Sequence, residues 1–187
     1  MQALLTSTVI VALAEIGDKT QLLSLILAAR FRRPVPIIFG ILIATLANHA
    51  IAAFAGAWAA SWFSPSTLQW LLGLSFILMA GWILVPDKLD NESSATSRYG
   101  AFLTTLVIFF LAEIGDKTQI ATVVLAARFP DLLMVIAGTT LGMMAANVPV
   151  VLAAEAIADR LPVKLIRQIT ALIFALLGGW ILTGIGQ

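Results

Sequence analysis

Residues 13–21 and residues 111–119 carry the same nine letters, LAEIGDKTQ. Each copy gathers two carboxylates, an ammonium, a hydroxyl and an amide. They are Glu15, Asp18, Lys19, Thr20 and Gln21 in the first copy, and Glu113, Asp116, Lys117, Thr118 and Gln119 in the second. Glu15 and Asp18, three apart, share one helix face, and Gln21 adds an amide to it. Lys19, four residues after Glu15, is placed to pair with it. Gly17 and Gly115 sit between the acids, where a membrane helix can loosen and turn backbone carbonyls inward. Four carboxylates and two lysines sum to −2, the charge that balances one divalent cation. The donors are all oxygens and the chain has no cysteine. That set suits Mg²⁺, Ca²⁺ and Mn²⁺ over Cu⁺ or thiolate-bound Zn²⁺, and Mg²⁺ sheds its water least readily. The same carboxylates can take up protons when a metal leaves, so metal–proton exchange is within their chemistry.

These charges lie in an unusually apolar chain. Its 187 residues are 60% hydrophobic and 11% charged, with a mean hydropathy of +1.02. Water-soluble domains are nearer a quarter charged, so an all-α integral membrane protein is expected. The net charge of +1 gives no reason to expect a nucleic-acid partner. Apolar segments run at about 3–29, 35–60, 67–85, 101–127, 132–157 and 166–185, and a crossing needs about 20 helical residues. Turn signals separate them at Arg32-Arg33-Pro34, Ser64-Pro65-Ser66, Pro86-Asp87, Phe129-Pro130-Asp131 and Leu161-Pro162. Ala12-Leu13-Ala14 has the form of a signal-peptidase site, but no Lys or Arg precedes it, so the first segment reads as a retained crossing.

The repetition extends beyond the motif. At a constant offset of 98, LAARF at 27–31 meets LAARF at 125–129, Gly40 meets Gly138, and GWIL at 81–84 meets GWIL at 179–182. The chain divides into a three-helix repeat at 1–85, a polar linker at 86–100 and a second repeat at 101–187. Three crossings leave the chain on the opposite side, so the second repeat is expected to be inverted, as in many secondary transporters. With the N-terminus outside, the inner side holds Arg30, Arg32, Arg33, Lys88, Arg98, Arg160, Lys164 and Arg167, and the outer side holds Arg128. The positive-inside rule then puts both termini outside a cell's inner (plasma) membrane and the linker in the cytoplasm. Trp58, Trp62 and Trp70 flank the outer loop that follows, as an interfacial belt would.

Segment 1, with about 27 residues, would be about 40 Å long as one helix, so it must tilt or break. Its midpoint lies near Ile16 and that of segment 4 near Ile114, which puts both motifs near the middle of the membrane. A charge there costs at least about 2.5–3.5 kcal/mol on insertion scales. The plain alternative is a buried Glu–Lys pair that fixes helix packing. Lys19 and Lys117 read as counter-charges for an empty site or as snorkelling groups. His49 aligns with Asn147, which precedes Pro149, and Asn48 lies beside it. Their readings are a polar lining, helix–helix hydrogen bonds or, for His49, a metal ligand. Met143 and Met144 pack the core or soften the site. Glu155, whose repeat mate is Ala57, is an interfacial charge or guards an entry path. Gly178-Gly179 allows close helix contact.

The duplicated Glu-x-Gly-Asp-Lys-Thr, at 15–20 and 113–118, resembles the signature of a widespread family of membrane cation transporters. That family includes the Golgi and chloroplast Ca²⁺/Mn²⁺ transporters and bacterial manganese exporters. The resemblance covers essentially the whole chain. It implies that Glu15, Asp18, Glu113 and Asp116 bind a transported Mn²⁺ or Ca²⁺, with H⁺ as counter-ion and no resident cofactor. Lys19, Thr20, Gln21, Lys117, Thr118, Gln119 and Asn147 would support them. Two other classes stand beside it. One is an intramembrane aspartyl protease with Asp18 and Asp116 as its dyad, although each Gly-Asp here follows Glu-Ile rather than Gly-x. The other is a non-transporting assembly partner, which leaves the buried charges unexplained.

Overall fold

The computed structural model describes residues 1–84, 100–154 and 163–183, and among these every regular element is an α-helix. In chain order they are α1 (Gln2–Glu15), α2 (Lys19–Phe31), α3 (Pro34–Ala60), α4 (Pro65–Leu84), α5 (Gly100–Glu113), α6 (Lys117–Arg128), α7 (Leu132–Leu152) and α8 (Val163–Thr183). Residues 86–99 of the expected linker, with Lys88 and Arg98, lie outside the described residues, as do Glu155 and Arg160.

The eight helices among the described residues outnumber the six apolar segments because segments 1 and 4 each break at their motif. Gly17 has φ +81° and Gly115 φ +76°, a left-handed backbone that glycine adopts without steric cost. Asp18 and Asp116 follow in extended conformation at the N-cap positions of α2 and α6, and the Asp116 carboxylate accepts from the Thr118 N–H at 3.3 Å. The break leaves amides without helical partners, and the motif glutamines take them up. Gln21 Oε1 accepts from the Gly17 N–H at 2.9 Å, and Gln119 Oε1 from the Gly115 N–H at 2.7 Å. Elsewhere the boundaries follow the turn signals. Pro34 opens α3, where its missing N–H costs nothing. Arg32 ends α2 in the left-handed region, and the Asp131 carboxylate caps α7 through the Met134 N–H at 3.2 Å.

The bundle is apolar outside and polar within. Val35, Phe39, Ile43, Leu46, Ile51 and Phe54 of α3 are exposed, while Thr45, Asn48 and His49 of the same helix are buried. This reverses the pattern of a water-soluble helix and suits a hydrocarbon solvent. Helices α3 and α7 are each long and apolar enough to cross a bilayer. Trp58, Trp62 and Trp70 are exposed, with the first two edge to face at 5.6 Å.

Packing interleaves the two halves. Helix α1 lies against α7, and α5 lies against α3. A Cβ on Gly138 would come 2.5 Å from the Leu4 carbonyl oxygen and 2.8 Å from Ser7 Cβ. A Cβ on Gly40 would come 2.9 Å from the Phe102 carbonyl oxygen and 2.8 Å from Thr105 Cβ. All three pairs of residues are related by the offset of 98, so the two crossings are equivalent contacts. Helix α4 packs on its own repeat mate, α8, through Phe76 and Phe174 with ring centroids 5.5 Å apart. Gly178 approaches the Gly73 backbone there, whereas Gly179 faces open space. The close-contact expectation thus holds for Gly178 and not for Gly179.

Candidate functional site

The two helix breaks bring the motifs together inside the bundle. One carboxylate oxygen from each of Glu15, Asp18 and Asp116 lies within 4.8 Å of the others, and all three residues are buried. Glu113 is fully buried but stands outside this close set of three. Its Oε2 accepts from Thr118 Oγ at 2.9 Å, while its Oε1 has no hydrogen-bond partner. Glu15 is held by two groups. Its Oε1 accepts from the Thr20 hydroxyl and, at 3.1 Å, from Asn147 Nδ2, leaving Oε2 without a partner. Thr20 and Thr118 therefore do the same job in the two halves, each reaching back across the break to the glutamate before it.

The lysines correct the expectation of a Glu15–Lys19 pair. Lys117 Nζ donates to Asp18 Oδ1, and Lys19 Nζ lies 3.4 Å from Asp116 Oδ1. Each ammonium thus crosses to the aspartate of the other motif. The expected common helix face of Glu15 and Asp18 is also corrected. Their i,i+3 spacing assumed an unbroken helix, and the left-handed glycine turns the chain between them. The exchanged pairs are not equally deep, since the Lys117 side chain is 3% exposed and that of Lys19 29%. Their positions fit counter-charges to the carboxylates.

The amides complete the inner shell. Gln21 Nε2 donates to the Ala146 carbonyl at 3.1 Å, tying the first break to α7. Asn147, next in sequence, also touches Met143, whose carbonyl oxygen and Sδ each lie 3.1 Å from Nδ2. Met143 is fully buried at this spot, while Met144 packs at the edge of the apolar core. Asn48 Nδ2 donates to the Phe110 carbonyl at 3.0 Å, a helix–helix hydrogen bond. His49 is buried, and neither ring nitrogen has a hydrogen-bond partner. Sequence reasoning passed over Ser24, whose hydroxyl donates to Asn147 Oδ1 at 2.6 Å. Its signal was available, because Thr122 repeats a hydroxyl at the same offset.

A buried group of three carboxylates with two ammoniums among them is a cation-exchange chemistry in miniature. Oxygen donors can close on a dication while the ammoniums give way. The aspartates differ from a proteolytic dyad, in which two carboxyls share one proton. Here each has an ammonium partner.

A family model described as "Divalent cation/proton antiporter GDT1" matches residues 3–91 and 101–186. The chain belongs to this family. It is therefore a membrane protein of the divalent-cation transporters, as the duplicated motif implied. A curated relative from Vibrio cholerae serotype O1, described as "Putative manganese exporter", is 58% identical over 178 residues. That span is 95% of this chain and 88% of the relative. No solved structure matches the chain.

Proposed function

We propose that the chain is a secondary transporter that exports Mn²⁺, with Ca²⁺ as a second cargo, in exchange for H⁺. Residues 1–85 and 101–187 act as inverted three-helix repeats, joined by a cytoplasmic linker at 86–100, with both termini outside the inner membrane. The cation site lies at the membrane midplane and takes its ligands from Glu15, Asp18, Glu113 and Asp116. Lys19 and Lys117 neutralise the aspartates when no metal is bound. Thr20, Thr118, Gln21, Gln119 and Asn147 hold the carboxylates and the broken backbone in position. The protein moves ions and does no covalent chemistry, so it is not an enzyme.

The observation that carries this reading is the convergence of Glu15, Asp18 and Asp116 with the lysines exchanged between motifs. Such an arrangement is costly in a membrane interior without a use. It also supplies a coupling mechanism. A dication and protons compete for the same carboxylate oxygens, so loading metal releases protons and reprotonation expels metal. Release of the ammoniums breaks the two ion pairs that cross between the motifs, linking occupancy to the fit of one half against the other. The equivalent glycine crossings at Gly40 and Gly138 support the repeat geometry, and the manganese relative supports the choice of cargo.

The test uses purified protein in liposomes that contain a metal-sensitive dye and a pH dye. Mn²⁺ entry with opposite proton movement is expected for wild type. Glu15→Gln and Glu113→Gln are each expected to abolish both signals while remaining folded. Normal transport by these two variants would refute the site.

A further inference from the structure

The two halves match closely at their helix crossings, and that match exposes an asymmetry at His49. Helix α3 lies on α5 as α7 lies on α1, since Gly40 meets Phe102 and Thr105 where Gly138 meets Leu4 and Ser7. Nine residues beyond each glycine come His49 on α3 and Asn147 on α7. Asn147 binds Glu15 at 3.1 Å and accepts from Ser24 at 2.6 Å. The equivalent groups for His49 are Glu113 and Thr122. Thr122 instead donates to the Thr118 carbonyl at 2.8 Å. Both nitrogens of the His49 ring and Oε1 of Glu113 are buried with no hydrogen-bond partner. Asn48, beside His49, bonds the Phe110 carbonyl at 3.0 Å, three residues before Glu113, which fixes α3 against this end of α5.

Buried polar atoms without partners are rare and unfavourable, and a cluster of them able to coordinate a cation points to a bound ion. In the first half the glutamate is satisfied by an amide. By the same offset, the second half assigns to the corresponding place a carboxylate oxygen and an imidazole that make no hydrogen bond. A neutral imidazole nitrogen is a good ligand for first-row transition metals, whereas Ca²⁺ takes oxygen donors. We propose that His49 and Glu113 Oε1 form a nitrogen-bearing subsite for a divalent transition metal, making His49 the residue that favours Mn²⁺ over Ca²⁺ and Mg²⁺. This rests on the reading of the two motifs as a cation site. The cargo then meets an all-oxygen half around Glu15 and a mixed half around Glu113. The ordinary order of divalent affinities also puts Co²⁺ and Zn²⁺ above Mn²⁺ at the mixed half.

The chain has one histidine, which gives the test a single source of signal. Full-length protein carrying a histidine-free tag is loaded with Mn²⁺ and studied by pulsed electron paramagnetic resonance. A ¹⁴N coupling of the size given by a directly bound imidazole is expected, and it is expected to vanish in His49→Asn, which installs the residue of the other repeat. In liposomes His49→Asn should keep Ca²⁺ flux and lower the Mn²⁺/Ca²⁺ preference by about tenfold or more, the scale set by losing groups that support a metal. Bound Mn²⁺ without nitrogen coupling in wild type overturns the proposal and leaves the carboxylate site standing. Wild type that binds no Mn²⁺ overturns both. The wild-type spectrum decides the question even if the variant does not fold.

Discussion

Lys19 and Lys117 occupy the same place in the same motif, yet replacing each with methionine is expected to have very different consequences. The Lys117 side chain is 3% exposed and its partner Asp18 is buried. Methionine keeps the apolar stem and removes the charge, leaving the Asp18 carboxylate without its ammonium inside the bundle. Breaking a buried ion pair in this way costs about 3–5 kcal/mol. The Lys19 side chain is 29% exposed and stands 3.4 Å from Asp116, so water shares its charge and the loss is about 1 kcal/mol or less. For a chain of this length those figures correspond to a fall in Tm of about 6–20 °C for Lys117→Met and of no more than about 4 °C for Lys19→Met. Thermal unfolding of detergent-solubilised protein, followed by loss of the monodisperse peak, measures both. The double variant Asp18→Asn/Lys117→Met should recover much of the loss, because no unpaired charge is left behind. Equal shifts for the two lysine variants, or a double variant as unstable as the sum of its singles, would refute the exchanged pairing.

Gly40→Val and Gly138→Val should each destabilise the bundle by about 1–3 kcal/mol through overpacking at the helix crossings, whereas Gly179→Ala, which faces open space, should leave the same melting curve unmoved. Gly17→Ala and Gly115→Ala place a Cβ on left-handed backbone, so each should cost about 1 kcal/mol or more of stability and reduce Mn²⁺ flux, read side by side in the melting and liposome assays.

The sequence carried the apolar segments and their boundaries because prolines, glycines and polar breaks interrupt long runs of hydrophobic residues. Pro34 and Pro65 open helices as their fixed backbone angle suggests. It also carried the candidate ligands, since charges in an apolar chain stand out and an offset of 98 pairs them. The tilt-or-break choice for segment 1 was legible only as a choice, and Gly17 was already marked as the place for a break. The direction taken by the chain after that glycine was not legible. A single left-handed residue reorients everything beyond it, so helical spacing across Gly17 lost its meaning and Lys19 paired with Asp116 instead of Glu15. The exchange of partners between halves was also hidden. Periodicity reports which face of a helix is polar, and it is silent on which other helix covers that face. Ser24 escaped notice because serine is common in membrane helices, and only its bond to Asn147 sets it apart.

The interleaved packing also bears on how the protein is made. Helix α1 ends at Glu15 and its main partner α7 begins at Leu132, so the 116 residues from 16 to 131 lie between them. At about 5–20 residues per second of synthesis, α1 waits on the order of ten seconds for α7. Lys117, which will meet Asp18, is made only late in that interval, and Asn147, which will hold Glu15, only after it. Helices α1 to α4 thus begin as an unfinished interface, with two acids committed to a cluster that the ribosome has only half encoded. The late helices do more than follow the early ones: their arrival seals the interior of the first half, and the last steps of translation become the step that closes the fold.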